Sequence, residues 1–375
     1  MNEIEVPFFD YTELHKTDYP IYSQALDSVL KRADFILRGD LADFEVGMAE
    51  FTGSRFCVGV GNGTDAIWLG LIAAGITRGD EVILPTHTYV ATADAVWAVG
   101  ATPVLVDIAD DHLISSQAIE EAITTKTKAV IPVNLNGRAA PLDEIDVIAK
   151  KYSLKIIEDN AQGLGARLNG KMAGTFGDLG TLSFFPAKIL GCLGDGGGIL
   201  TDSEEIFKKI KLLRSHGRND DNLVVEWGFN SRLDNLQAAV LNSKLAVLNE
   251  NISQRRLIAK TYFESLSDCE EVILPQHVSG SKDHFDSYQN YEIEAKFRDE
   301  LKDYLATRGV GTLIQWGGKG VHEFGLPGII EKDLSNARRI IASMLMLPMN
   351  QYLNLEQVIY VSNCIKDFYA KKINK

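Results

Sequence analysis

One lysine lies in a stretch of sequence that favours a reactive amine. Lys188 ends the run SFFPAK (183–188), and the glycine-rich turn GDGGG (194–198) follows it. An amine surrounded by apolar side chains loses solvating water, and the neutral form that results is the one that attacks a carbonyl carbon. The chain has 38 lysines and arginines, most of which we expect at the surface. Lys188 is therefore a candidate only if suitable partners lie near it.

A carboxylate and an amide upstream are suitable partners. Asp159 ends the apolar strand KIIED (155–159), and we expect it at the carboxyl edge of a sheet, where α/β proteins bind ligands. One interpretation is a counter-charge that keeps a pyridine nitrogen protonated, with Gln162 hydrogen-bonded to the phenolic oxygen of the same ring. The competing interpretation is that Asp159 caps the turn formed by residues 160–163.

Three further features suit a phosphorylated ring. The segment VGVGNGTDA (58–66) fits neither the dinucleotide motif nor the P-loop. It can still present backbone N–H groups, including that of Gly63, to a phosphate monoester, together with the N-terminus of the following helix, which we expect Thr64 and Asp65 to cap. Ser183 is placed to donate its hydroxyl to the same phosphate. Tyr89 opens a helix after the strand EVILP (81–85), where its ring can stack on a planar heterocycle. A tight turn, an ordinary strand serine and a core tyrosine are the competing interpretations.

Together these residues match one cofactor. They supply a turn that binds an anion, a platform for a ring, an acid for a ring nitrogen and an amine for a carbonyl carbon. Pyridoxal 5′-phosphate (PLP) is an aldehyde that carries a phosphate and a basic pyridine. We therefore predict PLP as the cofactor and Lys188 as the residue that bonds to its aldehyde carbon.

Strands and helices alternate between about residues 55 and 215. Near-continuous apolar strands are separated by segments of helix length, and this pattern predicts an α/β fold with a largely parallel sheet covered on both faces. The prediction is a seven-stranded sheet, with strands at 56–60, 81–85, 102–108, 128–135, 155–159, 180–185 and 197–202.

A long predicted helix over 234–266 ends this alternation. Beyond it the sequence predicts strands at 290–295 and 311–316, and helices at 297–309, 333–346 and 355–370. These elements indicate a smaller α+β domain. We therefore divide the chain into a large cofactor-binding domain, residues 1–245, and a small C-terminal domain, residues 246–375.

Composition narrows the class of protein. With 375 residues and 45% hydrophobic content the chain can bury a large core, and its net charge of −13 argues against a nucleic-acid-binding surface. The four scattered cysteines indicate reduced thiols rather than a disulfide framework or a zinc site. The first residues lack the pattern of a signal peptide, and no apolar stretch is long enough to cross a bilayer. We expect a cytoplasmic protein with neither a metal nor a membrane partner.

The sequence resembles the DegT/StrS-type sugar aminotransferases, members of the fold type I PLP enzymes. The resemblance covers nearly the whole chain. It depends most on five stretches that occur in order: GNGTDA (61–66), THTYVATADAV (86–96), EDNAQGLGA (158–166), SFFPAKILGCLGDGG (183–197) and GFNSRLDNLQAA (228–239).

The resemblance implies a role for each matching residue. Lys188 would bind PLP covalently, Asp159 would pair with the pyridinium nitrogen, and Gln162 would contact the ring hydroxyl. Tyr89 would stack on the ring. The phosphate would be bound by Thr64, Asp65, Ser183 and, from the neighbouring subunit, Asn230. The resemblance therefore implies a homodimer with shared active sites.

The implied activity is transfer of an amino group from L-glutamate to the keto group of a nucleotide-linked deoxyhexose. The segment GTLIQWGGK (311–319) is similar to that of members acting on dTDP-linked 3-keto-6-deoxyhexoses, which we take as the expected acceptor. A 4-keto nucleotide sugar is one alternative. A non-catalytic regulatory protein with the same fold is another, although it would have no need of Lys188, Asp159 and Gln162 together.

Four residues are candidates for contacts with the acceptor. Trp316 and His322 are expected to line the sugar pocket, and Trp316 is equally suited to the core of the small domain. His216 and Arg218 could contact a hydroxyl or the diphosphate, although a solvated loop is the simpler interpretation of Arg218.

The sequence departs from the family pattern at two places. Asn134 and Asn136 stand in the run NLNG (134–137), where the family often has His-Leu-Tyr-Gly. The run AKILG (187–191), with Ile189 after the lysine, stands where the family often has Ser-Lys-Asn-Leu-Gly. Neither departure removes Lys188 or Asp159, so the cofactor chemistry is still expected and the acceptor pocket is what changes.

Overall fold

The structure is a computed structural model, and it describes residues 5–276 and 283–373. Its strands, in chain order, are β1 (Phe56–Val60), β2 (Glu81–Pro85), β3 (Thr102–Val106), β4 (Thr127–Val130), β5 (Lys155–Asp159), β6 (Arg167–Leu168), β7 (Lys171–Met172), β8 (Leu179–Ser183), β9 (Gly197–Thr201), β10 (Val272–Ile273), β11 (His284–Phe285), β12 (Tyr291–Ala295), β13 (Ile330–Glu331) and β14 (Met344–Leu347).

The α-helices are α1 (Tyr11–Arg32), α2 (Gly39–Thr52), α3 (Gly63–Ala73), α4 (Val90–Ala98), α5 (Ser116–Ala122), α6 (Leu142–Tyr152), α7 (Glu204–Leu213), α8 (Asn235–Leu245), α9 (Leu248–Leu266), α10 (Arg298–Thr307), α11 (Ser335–Ser343) and α12 (Leu355–Ile373). Short 3₁₀ turns lie at Leu135–Gly137, Gln315–Gly317 and Val321–Phe324. The alternation of strands and helices through the first half is the α/β pattern that the sequence predicted.

The main sheet has eight strands in the order β1-β9-β8-β5-β4-β2-β3-β13, not the predicted seven. The additional strand, β13, contributes two residues that pair in parallel with β3. Both are exposed, so no apolar run marks them in the sequence. Only β9 runs against its neighbours, and the sheet is mostly parallel as predicted. Consequently β1, β2, β5 and β8 run in one direction and their carboxyl ends lie along one edge.

Both faces of this sheet are buried, which explains the apolar strands. Every residue of β2 is buried. One face packs on side chains of α3, α4 and α7, and the other on α5 and α6. Some of the helices begin at side-chain caps. At the start of α7, for example, the hydroxyl of Ser203 accepts a hydrogen bond from the backbone N–H of Ile206.

The C-terminal part forms a second core. The three-stranded sheet β10-β12-β14 is antiparallel and packs with α9, α10 and α12. The predicted helix over 234–266 is in fact two helices, α8 and α9, because the backbone leaves the helical conformation at Val247. The predicted strand over 311–316 is reduced to a single bridge between Leu313 and Met346. The end of the predicted 333–346 helix instead forms β14, which is fully buried.

The division at residue 245 stays a prediction. The proposed boundary coincides with the end of α8, but two segments pack with the part of the chain on the other side of it. Val6 packs in the core of the C-terminal part, and β13 belongs to the main sheet. Within the described part of the chain, no helix combines the length and apolar character that a membrane span requires.

Candidate active site

A cleft of about 860 Å³ lies at the carboxyl edge of the main sheet. The C-terminal part of the chain forms its opposite wall. All the residues of this chain that were predicted to contact the cofactor, apart from Asn230, line this one cleft: Gly63, Thr64, Asp65, Tyr89, Asp159, Gln162, Ser183 and Lys188. They come from segments that follow β1, β2, β5 and β8, which explains why residues far apart in sequence meet here.

Lys188 lies on the loop between β8 and β9, in a turn closed by a hydrogen bond of 2.8 Å from its backbone N–H to the carbonyl of Phe185. Desolvation by the surrounding protein lowers the pKa of its amine to about 8, and the nearby Asp159 carboxylate acts against that shift. The amine therefore lies within electrostatic reach of Asp159, and it is neutral far more often at physiological pH than an ordinary lysine.

Asp159 is a buried carboxylate with an exposed fraction of 5%. Its Oδ2 accepts a hydrogen bond of 2.8 Å from the hydroxyl of Thr92, and its Oδ1 accepts one of 3.1 Å from the N–H of Ala161. Desolvation raises the pKa of Asp159, while Thr92, Ala161 and Lys188 act against the rise. No salt bridge to Asp159 exists among residues 5–276 and 283–373. A buried anion with these partners favours a cation beside it.

Gln162 is held so that it donates into the cleft. Its Oε1 accepts two hydrogen bonds of 3.0 Å, from the backbone N–H of Asn136 and from Nδ2 of Asn290. Because the oxygen is taken by these donors, the amide nitrogen is left as the group that faces a ligand. This orientation suits an acceptor such as the phenolic oxygen of a pyridine ring.

The N-terminus of α3 supplies donors at one end of the cleft. The first N–H groups of a helix, here those of Gly63 and Thr64, have no partner inside the helix. Ser183 lies against Gly63, since a Cβ added there would come within 3.3 Å of the serine hydroxyl oxygen. Gly63 thus leaves room for Ser183, whose hydroxyl lies close to the start of α3, a position that suits an anion.

One prediction at the start of this helix needs correction. The cap is Asn62, whose Oδ1 accepts a hydrogen bond of 2.8 Å from the N–H of Asp65, and not the Thr64-Asp65 pair. The carboxylate of Asp65 in turn accepts one of 2.7 Å from the hydroxyl of Ser231. Asp65 lines the cleft, but its own donor is already engaged. The helix start therefore offers the N–H groups of Gly63 and Thr64 instead.

Tyr89 and Trp316, two of the aromatic residues that line the cleft, belong to its two opposite walls. Tyr89 immediately precedes α4 and is 57% exposed, so it is not the core tyrosine of the competing interpretation. Trp316 lines the cleft from the C-terminal side and also packs against a small apolar cluster that includes Leu113 and Leu135. Trp316 therefore lines the cleft, but the apolar cluster that it contacts belongs to the large domain and not to the core of the small domain.

The remaining predicted residues lie outside the cleft of their own chain. His216, Arg218 and Asn230 are exposed on the segment between α7 and α8. His322 was expected to line the sugar pocket, but the structure does not place it there. Its ring is buried, and its Nδ1 lies 2.7 Å from the hydroxyl oxygen of Thr86 just beyond β2. The reason is that this hydrogen bond turns the ring towards the sheet.

The departures from the family pattern mostly point away from the cleft. Asn134 is fully buried and donates hydrogen bonds of 3.0 Å to Glu158 and Asn160, so it supports the end of β5. Ile189 packs in the core beside α2 and α8. Two departures reach the site: Ala187 lines the cleft, and Asn136 contacts Gln162 through its backbone N–H.

Sequence reasoning missed several lining residues. Thr92 was detectable, because it lies one helical turn after Tyr89 and so shares its face of α4. No local pattern marks the contributors from the C-terminal wall, which are Gln289, Asn290, Leu313, Gln315, Met346 and Met349. They reach the cleft only through tertiary packing.

The features of the cleft fit PLP. Asp159 is a buried carboxylate suited to a protonated ring nitrogen, Gln162 presents a donor, and Tyr89 presents an exposed ring. The N-terminus of α3 with Ser183 suits a phosphate, and the Lys188 amine has its pKa lowered towards neutrality. In the described ranges, no group of three or more His, Cys, Asp or Glu side chains is arranged to bind a metal ion.

Comparison with known proteins agrees with this geometry. Residues 21–366 match the model of the DegT/DnrJ/EryC1/StrS aminotransferase family. The chain is 38% identical to the pleiotropic regulatory protein of Geobacillus stearothermophilus, over 98% of this chain and 99% of the relative. It is 36% identical to the dTDP-3-amino-3,6-dideoxy-alpha-D-galactopyranose transaminase of Aneurinibacillus thermoaerophilus, over 97% of this chain and 99% of the relative.

A solved structure agrees as well. NtdA from Bacillus subtilis, with the cofactor PMP bound, superposes with a TM-score of 0.85 at 31% identity, over 96% of this chain and 85% of that one. The chain belongs to the DegT/DnrJ/EryC1/StrS aminotransferase family, with the fold type I architecture predicted from its sequence. It is a PLP-dependent transaminase.

Proposed function

We propose that this transaminase moves an amino group from L-glutamate to the keto group of a nucleotide-linked deoxyhexose. The preferred acceptor is a dTDP-linked 3-keto-6-deoxyhexose, which would give the 3-amino sugar. The observation that carries the proposal is the meeting of the Lys188 amine and the Asp159 carboxylate in one cleft. The choice of sugar is supported by the relative that is named for a dTDP-3-amino-3,6-dideoxy sugar.

In this proposal the residues of the cleft hold the cofactor by matched chemistry. Asp159 pairs with the ring nitrogen, Gln162 donates to the ring oxygen, and Tyr89 covers one face of the ring. The N–H groups of Gly63 and Thr64 bind the phosphate together with the hydroxyl of Ser183. When bound, PLP withdraws electrons and so stabilises negative charge on the carbon that carries the amino group.

Lys188 both binds the cofactor and moves the proton. In the half-reaction with glutamate, the Lys188 Nζ would accept a proton from the α carbon of glutamate. In the half-reaction with the sugar, the protonated Nζ would donate a proton to the sugar carbon that receives the amino group. A pKa of about 8 suits both roles, because the amine can gain or lose a proton near neutral pH.

The rest of the cleft is proposed to bind the sugar. A volume of about 860 Å³ is larger than PLP alone needs, and Trp316 offers an apolar wall opposite Tyr89. His216 and Arg218 are proposed to reach the nucleotide end of the acceptor from an exposed loop.

We further propose a homodimer in which Asn230 completes the phosphate site of the partner subunit. The loop before Asn230 exposes apolar side chains, including Val224 and Trp227, the latter with 94% of its surface accessible. An exposed tryptophan beside exposed valines is typical of a surface that is covered in an assembly. All four cysteines are free, which suits a reducing compartment, and we propose a cytoplasmic location.

A regulatory role is the second candidate, because one relative is named a pleiotropic regulatory protein. A purely regulatory chain would not need Lys188 in a cleft with Asp159. Incubation of the purified protein with glutamate separates the two candidates. An enzyme converts bound PLP to pyridoxamine phosphate and releases 2-oxoglutarate, whereas a regulator leaves the cofactor absorbance unchanged.

A panel of nucleotide sugars tests the acceptor. Purified protein, PLP and glutamate are incubated with 3-keto and 4-keto sugars linked to dTDP, UDP or GDP, and the products are identified by mass spectrometry and NMR. Amination of the dTDP-linked 3-keto-6-deoxyhexose with the highest kcat/KM is the expected result. A preference for a 4-keto sugar, or for an acceptor without a nucleotide, would overturn the proposed substrate without affecting the reaction class.

A further inference from the structure

The segment Ser287–Asn290, which leads into β12, packs against the turn Leu135–Gly137 below the cleft. The backbone N–H of Ser287 donates a hydrogen bond of 2.7 Å to the carbonyl of Gly137. A Cβ added at Gly137 would lie 2.4 Å from the backbone nitrogen of Tyr288, and Gly137 has a φ of +88°. Only glycine allows this close approach. The segment therefore has a fixed position relative to the large domain.

The side chain of Gln289 contacts the backbone on both sides of Lys188. Its Oε1 accepts a hydrogen bond of 2.6 Å from the N–H of Ile189, and its Nε2 donates one of 3.0 Å to the carbonyl of Ala187. One amide therefore binds the residue before the lysine and the residue after it. With an exposed fraction of 6%, Gln289 makes these bonds largely shielded from competing water.

We propose that Gln289 is a positioning residue that fixes the Lys188 loop, so that the amine stays in the cleft beside Asp159. It acts through the backbone of Ala187 and Ile189. The family pattern at these two positions differs from this chain, but the contacts involve only peptide groups, which every residue at these positions supplies. The proposal rests on the role of Lys188 in binding PLP and is independent of the acceptor sugar.

Arg255 holds the segment from behind. Its Nη1 donates to the carbonyls of Tyr288 at 3.2 Å and Gln289 at 3.1 Å, and also to that of Met349 at 3.3 Å. Its guanidinium is buried on α9 and is paired with carbonyls rather than with a carboxylate among the described residues. Tyr288 has a φ of +52°, a conformation that costs a non-glycine residue energy and needs support from its surroundings.

The next residue of the same segment orients a second group of the site. Nδ2 of Asn290 donates to Oε1 of Gln162 at 3.0 Å and to Oδ1 of Asn136 at 2.8 Å. Gln289 and Asn290 therefore set the geometry of both Lys188 and Gln162. Since both belong to the C-terminal part of the chain, its docking on the large domain determines how the reactive groups are presented.

The test replaces Gln289 with methionine, which has a similar length but makes neither hydrogen bond. Gln237→Met is the matched control, because Gln237 also binds the backbone of this loop, at the N–H of Leu193, but does not flank Lys188. The pH midpoint of Lys188 acetylation by trace acetic anhydride is measured in the full-length, cofactor-free protein, peptide by peptide, by mass spectrometry. The rate of PLP dissociation from the loaded protein is the second readout.

In Gln289→Met the loop is released and the amine gains water. We expect its midpoint to rise by about one pH unit, which is a tenfold change in the ratio of neutral to charged amine. PLP dissociation should also become faster, and Gln237→Met should change neither quantity. A variant that loses thermal stability while both quantities keep their native values would overturn the proposal.

If Gln289→Met does not fold, Gln289→Asn replaces it in both measurements. The asparagine side chain keeps the amide but is too short to reach both peptide groups. Its expected midpoint shift has the same sign. If neither variant folds, Gln289 acts in folding rather than in positioning, and the proposal is wrong. PLP bound natively at Lys188 in both variants, with an unchanged midpoint, would lead to the same conclusion while leaving the proposed function intact.

Discussion

The two walls of the cleft are built in different ways. The large-domain wall comes from segments that follow parallel strands, so the chemistry of Asp159 and Lys188 is placed by strand ends that share one edge. The C-terminal wall, with Gln289, Asn290 and Trp316, comes from loops around a small antiparallel sheet. In the function that we propose, the first wall carries the cofactor chemistry in short local motifs. The second wall would position those groups and border the space left for the acceptor.

The largest effect is expected for Lys188→Ala on the first wall. Loss of the amine removes both the covalent bond to PLP and the proton acceptor, so glutamate-dependent transfer should fall by at least about 1,000-fold. The matched control is Lys208→Ala, which removes an exposed lysine of α7. Its turnover should be unchanged. Residual activity of Lys188→Ala within tenfold of the native protein would break the comparison, since the chemistry would then lie elsewhere.

Asp159→Asn should have the next largest effect, a loss of about 100-fold in the rate of glutamate-dependent transfer, because it removes a charge that stabilises the protonated ring nitrogen.

Thr92→Val should lower the same rate by about tenfold, since it removes one hydrogen bond to the Asp159 carboxylate. Thr92 holds the pKa of Asp159 down. Its loss raises that pKa, and the acidic limb of the rate profile should move to higher pH.

The control for Thr92→Val is Thr181→Val, which removes a buried hydroxyl on the neighbouring strand β8. That hydroxyl donates to the carbonyl of Glu158 at 3.1 Å, and no hydrogen bond joins it to the Asp159 carboxylate in the described part of the chain, although the two residues are neighbours across β5 and β8. The pH profile of this variant should match that of the native enzyme. An equal shift in both variants would mean that the effect comes from general loosening of the sheet.

The smallest effect is expected on the C-terminal wall and should fall on the acceptor alone. Trp316→Ala should raise the KM for the acceptor sugar by about tenfold, because a large aromatic wall is lost, and should leave the half-reaction with glutamate nearly unchanged. Tyr89→Ala is the comparison on the opposite wall, and it should weaken PLP binding instead. If Trp316→Ala slows the glutamate half-reaction as much as the sugar step, the division of labour between the walls is wrong.

The sequence predicted the first wall well, for a physical reason. Strand ends such as the one at Asp159 are marked by apolar runs, and parallel strands bring their carboxyl ends together whatever the rest of the fold does. Once the α/β pattern is recognised, the sequence therefore predicts that residues at these strand ends lie close together. The missed strand β13 has two exposed residues, too few to produce any periodic signal.

The second wall could not be predicted in the same way. Gln289 and Asn290 follow Tyr288, which has a positive φ, and their contacts are with residues about 100 or more positions earlier in the chain. His322 was assigned to the cleft from its place in the sequence, but its hydrogen bond to Thr86 turns it away. The segment 311–316 has the composition of a strand, but after the bridge at Leu313 it turns into a 3₁₀ turn. The contacts of Gln289 and Asn290, the position of His322 and the conformation of residues 311–316 all depend on tertiary packing that no local sequence pattern encodes.

Identifying the lysine that carries the cofactor tests the central claim most directly. Burial lowers the pKa of two lysines near this loop, Lys188 and Lys244, but only Lys188 is within reach of Asp159. Lys244 instead donates a hydrogen bond of 2.6 Å to the carbonyl of Gly191. Borohydride reduction of the PLP-loaded protein, followed by peptide mass spectrometry, should find the cofactor on Lys188 and none on Lys244. Cofactor fixed to Lys244 or to any other residue, or no fixed cofactor at all, would contradict the account.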